Sequence, residues 1–150
     1  MAKFKSSKIA GKQPPLGPFA PGLVTCVFAQ VAVSAALAAN DILEGVEIPA
    51  GCVPINVEVY STDIDTGTAA IVTDIGILNA DRDAVATVLI NDSQLGRSAG
   101  EDLMDAAQQA VIAALAPSAT APACIGAKVV TVANAPAAGT VTFKVEYVAL

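Results

Sequence analysis

The chain has 150 residues, of which 54% are hydrophobic, and a formal net charge of −6 at pH 7. This length suits one domain with its own core, and the acidic balance argues against nucleic-acid binding, which needs Lys and Arg concentrated on one face. The sequence contains no His, which excludes imidazole bases, His-containing triads and the usual zinc sites.

The N-terminal segment, residues 1–22, is predicted to be an extended basic arm. Four of the eight basic residues lie in the first twelve positions, which contain no acid. Residues 13–150 hold four basic and fourteen acidic side chains, a balance of −10. Such an asymmetry can be used to reach a neighbour. We expect the arm to dock on a neighbouring protein, and a solubilising tail is the alternative. The candidate partner-binding residues are four lysines and four apolar anchors: Lys3, Phe4, Lys5, Lys8, Ile9, Lys12, Leu16 and Phe19.

The apolar run from Leu23 to Ala39 is predicted to form a strand. It is rich in Val, which favours strands, and Thr25, Gln30 and Ser34 interrupt it. A secretory signal or a membrane span is the alternative. The run is short for a span, and the preceding region is too long and too rich in Pro for a usual signal.

Short β-prone runs separated by turn residues follow, as is typical of a sandwich or barrel. In Thr140–Tyr147, apolar and polar residues alternate strictly, which predicts that Val141, Phe143 and Val145 face a core. Further strands are predicted at residues 70–78, 85–90 and 127–133, and turns at residues 39–41, 49–51, 65–67 and 136–139.

The run Val53–Tyr60 alternates in the same way. It predicts that Val53, Ile55 and Val57 point into the same core. Pro54 cannot donate a ladder hydrogen bond, so this end of the strand is expected at a sheet edge.

One helix is predicted after Ser98, because Ser98 and Glu101 have the spacing of a capping box. Apolar residues then recur every four positions, at Leu103, Ala107, Val111 and Leu115, and Pro117 would end the helix. The expected fold is all-β: an antiparallel β-sandwich over residues 23–150 with one short helix, and the extended arm over residues 1–22.

Two acidic turns are candidate sites. Residues 63–67 read Asp-Ile-Asp-Thr-Gly, like the start of a calcium loop, but the Gly comes one place early and the bidentate position would fall on Asp74 inside a predicted strand. An Asx-type turn joining two strands is the preferred interpretation. Residues 81–83, Asp-Arg-Asp, are interpreted as a solvated turn with an exposed ion pair worth under about 1 kcal/mol.

No motif indicates catalysis or a cofactor. The three cysteines, Cys26, Cys52 and Cys124, are widely spaced and odd in number, so they are expected to be small buried hydrophobes in a reducing compartment. No CxxC, dinucleotide-binding or P-loop pattern occurs. Two of the acids could still converge as in a glycosidase, but the absence of Trp argues against sugar stacking.

Residues 37–84 resemble small head decoration (capsid cement) proteins of tailed bacteriophages. The matching pieces are an Ala-Ala-Asn-Asp turn, an Ile-Pro-Ala-Gly turn, an Asp-x-Asp-x-Gly turn and a strand leading to Asp-Ile-Gly and Asp-x-Asp. The strand from Gly139 to Tyr147 also looks like the end of such proteins. The predicted helix after Ser98 departs from them, because a glycine-rich stretch would be expected there.

This resemblance implies a jelly-roll-like β-sandwich that trimerises on the outer capsid surface. It further implies the major capsid protein as partner, no nucleic-acid or membrane partner, no enzymatic activity, and a place in the virion after synthesis in the bacterial host cytoplasm. The apolar excess independently favours self-association. The alternatives are a secreted carbohydrate-binding or hydrolytic β-sandwich module, and another virion component such as a head fibre or tail subunit.

Overall fold

The computed structural model describes residues 1–6, 23–34, 37–68, 70–103 and 121–149. These residues form nine strands and no helix. The strands are β1 (Lys3–Lys5), β2 (Val24–Val33), β3 (Ile42–Ile48), β4 (Cys52–Ser61), β5 (Val72–Leu78), β6 (Val85–Ser93), β7 (Gly100–Leu103), β8 (Ala123–Thr131) and β9 (Gly139–Ala149).

The strands form two sheets that share one core. The first sheet, sheet A, has the order β1-β3-β8-β5-β6, and the second, sheet B, has the order β2-β9-β4-β7. All neighbouring strands are antiparallel except β1 and β3, which are parallel. The main buried apolar cluster draws residues from both sheets. The expectation of an all-β fold is therefore confirmed over the described residues.

The inner face of β9 supplies the centre of this core. Val141, Phe143 and Val145 are buried, as their alternation predicted. Phe143 packs against β3 at Gly45, where a Cβ atom would lie 2.6 Å from the ring. Gly45 also lies at a β-bulge between Glu44 and Val46. The absence of a side chain at this bulge lets the two sheets approach each other across the Phe143 ring.

The predicted orientation of β4 is correct at Val57 but wrong at Val53 and Ile55. Val53 is buried, but it pairs with Val148 and lies outside the main core cluster. Ile55 is 38% exposed, because a β-bulge between Pro54 and Asn56 shifts the register with β9. An extra residue in a bulge reverses the alternation of the side chains beyond it. Pro54 lies where expected: within the described part of the chain, β7 pairs with β4 only from Glu58 to Ser61, and the Pro54 end pairs with β9 alone.

The predicted helix start after Ser98 is wrong. Gly100–Leu103 is strand β7, which pairs with the end of β4. Ladder hydrogen bonds to a neighbouring strand override a local capping pattern, which is only a weak preference. The remainder of that prediction, residues 104–117, lies outside the described residues.

Two predicted turns bracket β3 and set its ends. Asn40 has a φ of 70° and Gly51 a φ of 79°, values that Asn and Gly tolerate better than other residues. The turn before β4 is closed by a hydrogen bond from the Cys52 N–H to the Pro49 carbonyl at 3.2 Å.

Candidate interaction surface

Three of the eight predicted partner-binding residues lie in the described structure. Lys3, Phe4 and Lys5 form β1, which lies parallel to residues 42–44 of β3 in the same chain. Strand β1 therefore covers the edge of sheet A at β3. The other five lie outside the described residues: Lys8, Ile9, Lys12, Leu16 and Phe19.

The docking site of β1, here called the cradle, consists of Asp41–Glu44 and Asp81. Its backbone contacts run along the strand: the Ile42 N–H donates to the Ala2 carbonyl, and the Ser6 N–H donates to the Glu44 carbonyl, both at 2.9 Å. The Ala2 N–H donates to the Asp41 carboxylate. Phe4, which is half-buried, packs against the main core. The cradle thus holds β1 by its backbone and by one apolar anchor.

A buried carboxylate organises the charges of the cradle. The Glu44 side chain is only 1% exposed; Lys5 Nζ lies 3.8 Å from its Oε1 atom and Arg82 Nη1 lies 3.1 Å from its Oε2 atom. Arg82 also binds Glu47, at 2.7 Å. Lys3 Nζ donates to the Asp81 carbonyl at 2.8 Å. The basic strand β1 therefore meets an acidic site.

This network corrects the interpretation of residues 81–83 as a merely solvated turn. Arg82 has a φ of 54°, and its guanidinium is partly buried between two carboxylates. Burial disfavours the charge, but hydrogen bonds with Glu47 and Glu44 outweigh it and raise the pKa of Arg82 above its ordinary value. The turn is part of the support of β3.

The acidic turn at residues 63–67 is an Asx-type turn, as preferred from the sequence. The Asp65 N–H donates to Asp63 Oδ1 at 3.1 Å. The buried Asp65 carboxylate accepts backbone N–H groups of Ala70 and Ile71 on Oδ2 and of Ala135 on Oδ1. Both carboxylate oxygens thus serve to join two loops at one end of the sandwich. These hydrogen bonds, led by that of Ala135, lower the pKa of Asp65, although burial acts in the opposite direction.

Acidification is expected to remove the stability that Asp65 contributes. Because its pKa is lowered on folding, this contribution is complete above the unfolded pKa of about 3.9 and disappears as the pH falls through the lower folded value. The stability gap between the natural protein and Asp65→Asn should therefore be large near neutral pH and shrink in acid. Urea unfolding from about pH 7 to about pH 2 measures it. The exposed Asp81→Asn change is the control, and a gap that is constant with pH would contradict this role.

The outer side of sheet B carries an apolar strip along β2. The strip consists of Leu23, Val24, Cys26 and Phe28, all of them exposed, with Phe28 at 55%. Strand β2 contains no charged residue and no Pro, and among the described residues β9 is its only sheet neighbour. An exposed aromatic side chain in an uncharged strip is typical of a protein interface. Cys26 was expected to be buried, so this part of the prediction is wrong, whereas Cys52 and Cys124 are buried.

Beside the strip, the outer side of sheet B is polar. Glu58 accepts hydrogen bonds from Lys144 at 2.8 Å, from the Tyr60 hydroxyl and from Asn56. The hydrogen bonds from Lys144 and Tyr60 lower the pKa of Glu58, and the bond to Glu58 raises the pKa of Lys144. These groups satisfy one another, so the charges of Glu58 and Lys144 compensate each other.

The described residues bring no reactive set together. No group of three His, Cys, Asp or Glu side chains in this part of the chain is arranged to hold a metal ion. An open depression of about 390 Å³ lies next to Cys124 and Arg82, but burial raises the pKa of the Cys124 thiol to about 12, which is the opposite of a nucleophile's requirement. None of the described segments is a helix long and apolar enough to cross a membrane.

The chain is similar to two solved structures. It aligns with a chain in the capsid of Ralstonia phage GP4 with a TM-score of 0.82 and 26% identity, over 98% of this chain and 97% of that chain. It aligns with a chain in the capsid asymmetric unit of cyanophage Pam1 with a TM-score of 0.61 and 18% identity, over 93% and 96% of the two chains. No protein-family model and no curated protein matches the sequence.

Proposed function

We propose that this chain is a structural virion protein of a bacteriophage that binds the outer surface of the capsid and stabilises it as a decoration protein. The observation that carries the proposal is the likeness, over nearly the whole of both chains, to a component of the capsid of Ralstonia phage GP4. Its partners are then the major capsid protein and further copies of itself. Its place is the outer shell of the virion, after synthesis in the host cytoplasm.

The architecture supports a role in covering surface rather than in catalysis. Sheet B and four strands of sheet A have the orders β2-β9-β4-β7 and β3-β8-β5-β6. From β2 to β9, each strand lies in the other sheet from the strand before it, except that β6 pairs with β5, and this order supports a jelly roll. On this proposal the body is residues 23–150 and the arm is residues 1–22. A protein that buries surface on two capsid subunits at once opposes their separation, which requires area and complementary shape but no reactive group.

Mass spectrometry of purified virions and of the cleared culture medium tests the proposal. A decoration protein should be found in the particles at a fixed ratio to the major capsid protein. Recovery of the protein only from the medium would reject the virion role and favour a secreted module.

We expect the isolated protein to form a closed homo-oligomer, most simply a trimer. The apolar strip, with Phe28 at its centre, exposes surface that cyclic symmetry can cover with identical patches. Sedimentation equilibrium of the natural protein and of Phe28→Ser measures this, with the partly exposed Thr87→Ser change as a control. A natural protein that remains monomeric at high micromolar concentration would contradict self-association before docking.

Deleting residues 2–12 is expected to weaken binding to undecorated heads by roughly tenfold or more, because four lysines and the anchor Phe4 are removed. Added salt should weaken binding of the intact protein more than that of the truncated one, since charge contacts are screened. Titrating both proteins onto heads at low and high salt measures these effects. Lys128→Gln, a change outside the arm, is the control, and equal affinity with and without the arm would contradict the prediction.

A further inference from the structure

The contacts described between the cradle and β1 do not depend on the segment that joins β1 to the body. Every contact described above lies between residues 2–6 and the cradle or the core behind it. Position 41, the first residue of the cradle, is far from position 6 along the chain. A second copy of the chain offers the same backbone groups, the same two lysines and the same Phe4. The cradle is therefore chemically suited to β1 of its own chain and to β1 of a neighbour.

The connection between β1 and β2 is long for the gap that it closes. The two strands contact each other at one side of the sandwich, yet residues 6–23 separate them, whereas connections in compact domains have about 4–6 residues. When extended, a segment of that length reaches on the order of 50 Å, more than the roughly 40 Å diameter of a domain of this size. It can therefore reach the cradle of an adjacent copy.

The sequence of this connection also disfavours a course that folds back on its own chain. It contains four prolines, at positions 14, 15, 18 and 21, each of which fixes φ near −65° and biases the chain toward an extended course. Residues with a fixed φ lose less entropy when the chain adopts an extended course. The proline content and the length of the connection thus both favour a course that spans to a neighbouring copy over one that folds back on its own chain.

Electrostatic attraction favours the exchange of β1 between two copies. Residues 13–150 carry four basic and fourteen acidic side chains, so the bodies of two copies repel each other. Lys5 of one copy, placed beside Glu44 of the next, puts opposite charges at the junction, and Lys3 donates a hydrogen bond to the Asp81 carbonyl. Phe4 adds a buried apolar contact.

We propose that in the assembled oligomer each cradle is occupied by β1 of the next copy, so that identical chains are joined in a ring by strand exchange. The proposal rests on the self-association proposed above, and it makes a second copy of this chain the partner of Lys3, Phe4 and Lys5. Each copy donates one strand and accepts one, which is a heterologous contact that closes under cyclic symmetry. The contacts are those of the single chain, so exchange sacrifices none of them.

A disulfide between β1 and β3 tests the exchange. Lys3 and Ile42 are Cα partners, and paired strands lie about 4.8 Å apart, within the reach of a disulfide. The variant combines Lys3→Cys and Ile42→Cys in a background with Cys26→Ser and Cys124→Ala, because Cys26 is exposed and Cys124 packs beside Ile42. After oxidation, a non-reducing denaturing gel separates single chains from linked chains, and peptide mass spectrometry identifies the 3–42 link.

Two controls accompany this variant. Lys3→Cys alone measures random pairing between molecules. Gln30→Cys with Thr142→Cys joins Cα partners of β2 and β9 within one chain and should give single chains only.

We expect the 3–42 link mainly in two-chain and three-chain species. A link confined to single chains overturns the proposal, and so does the absence of any 3–42 link in a folded protein. Head binding is measured separately by co-sedimentation. If the protein binds heads but gives only single-chain links, the proposed function stands and the strand exchange is rejected. If linked chains form but the protein does not bind heads, the strand exchange stands and the proposed function is rejected.

Discussion

Phe143→Ala is expected to lower the free energy of unfolding by about 3–5 kcal/mol, the largest effect among the changes considered for the core. Phe143 is fully buried, and its ring fills the space between the two sheets above Gly45. A bulge fixes the backbone of β3 at this point, so the sheets cannot collapse easily onto a smaller side chain. The cavity would remain open, and the loss should fall in the upper part of the range.

Urea unfolding of the natural protein and the variant measures this difference. Phe28→Ala is the matched control, because Phe28 is more than half exposed and lies on the outer side of sheet B. It should change the stability of the isolated chain by less than about 1 kcal/mol. A loss of less than about 1 kcal/mol for Phe143→Ala would mean that the ring does not fill the core.

Arg82→Met is expected to cost about 2–3 kcal/mol. The variant keeps the aliphatic part of the side chain. Among the described residues, it leaves the buried Glu44 carboxylate with only Lys5, at 3.8 Å, as a counter-charge. Removing one partner of a fully buried pair costs about 3–5 kcal/mol, and we expect less because Arg82 is partly exposed. Glu47 loses its hydrogen bond as well.

Lys144→Met provides the comparison for Arg82→Met. Lys144 also binds two carboxylates, but both of those side chains keep contact with water, so its loss should cost less than about 1 kcal/mol. Thermal and urea unfolding of both variants test the difference. Equal losses of stability for the two variants would mean that burial of Glu44 contributes nothing. The double variant Arg82→Met with Glu44→Gln should recover part of the stability lost in Arg82→Met, since it removes the uncompensated charge.

The alternation of apolar and polar residues correctly predicted those strands whose pairing with their neighbours is regular. In β9, every predicted inward residue is buried, because the strand pairs along its length with β2 and β4. The prediction failed at Ile55, because a bulge reverses the alternation and nothing in the local sequence marks it. It failed again at Gly100–Leu103, where pairing with β4 decides the conformation. Such pairings join residues far apart in sequence and leave no periodic signal.

The candidate surface was predicted only in part. The basic arm was evident from its composition, but β1 has three residues and β3 carries two acids, so neither was recognised as a strand. Burial of Glu44 depends on Arg82, 38 positions further along the chain, and a single sequence gives no indication of that contact. The outward position of Phe28 follows from the alternation of β2, and a count of its uncharged residues could have revealed the apolar strip.

Strand β2 also bears on what happens when the fold is lost. Ten consecutive residues without charge or Pro, rich in Val, have the composition of segments that stack into cross-β fibrils. In the native chain every second residue from Val27 to Val33 is held in the core, and the backbone is paired with β9 over all ten positions. The native sandwich thus sequesters a fibril-prone segment. Heated protein released from a particle would therefore aggregate in preference to refolding, which makes the unfolding rate the quantity that governs its lifetime.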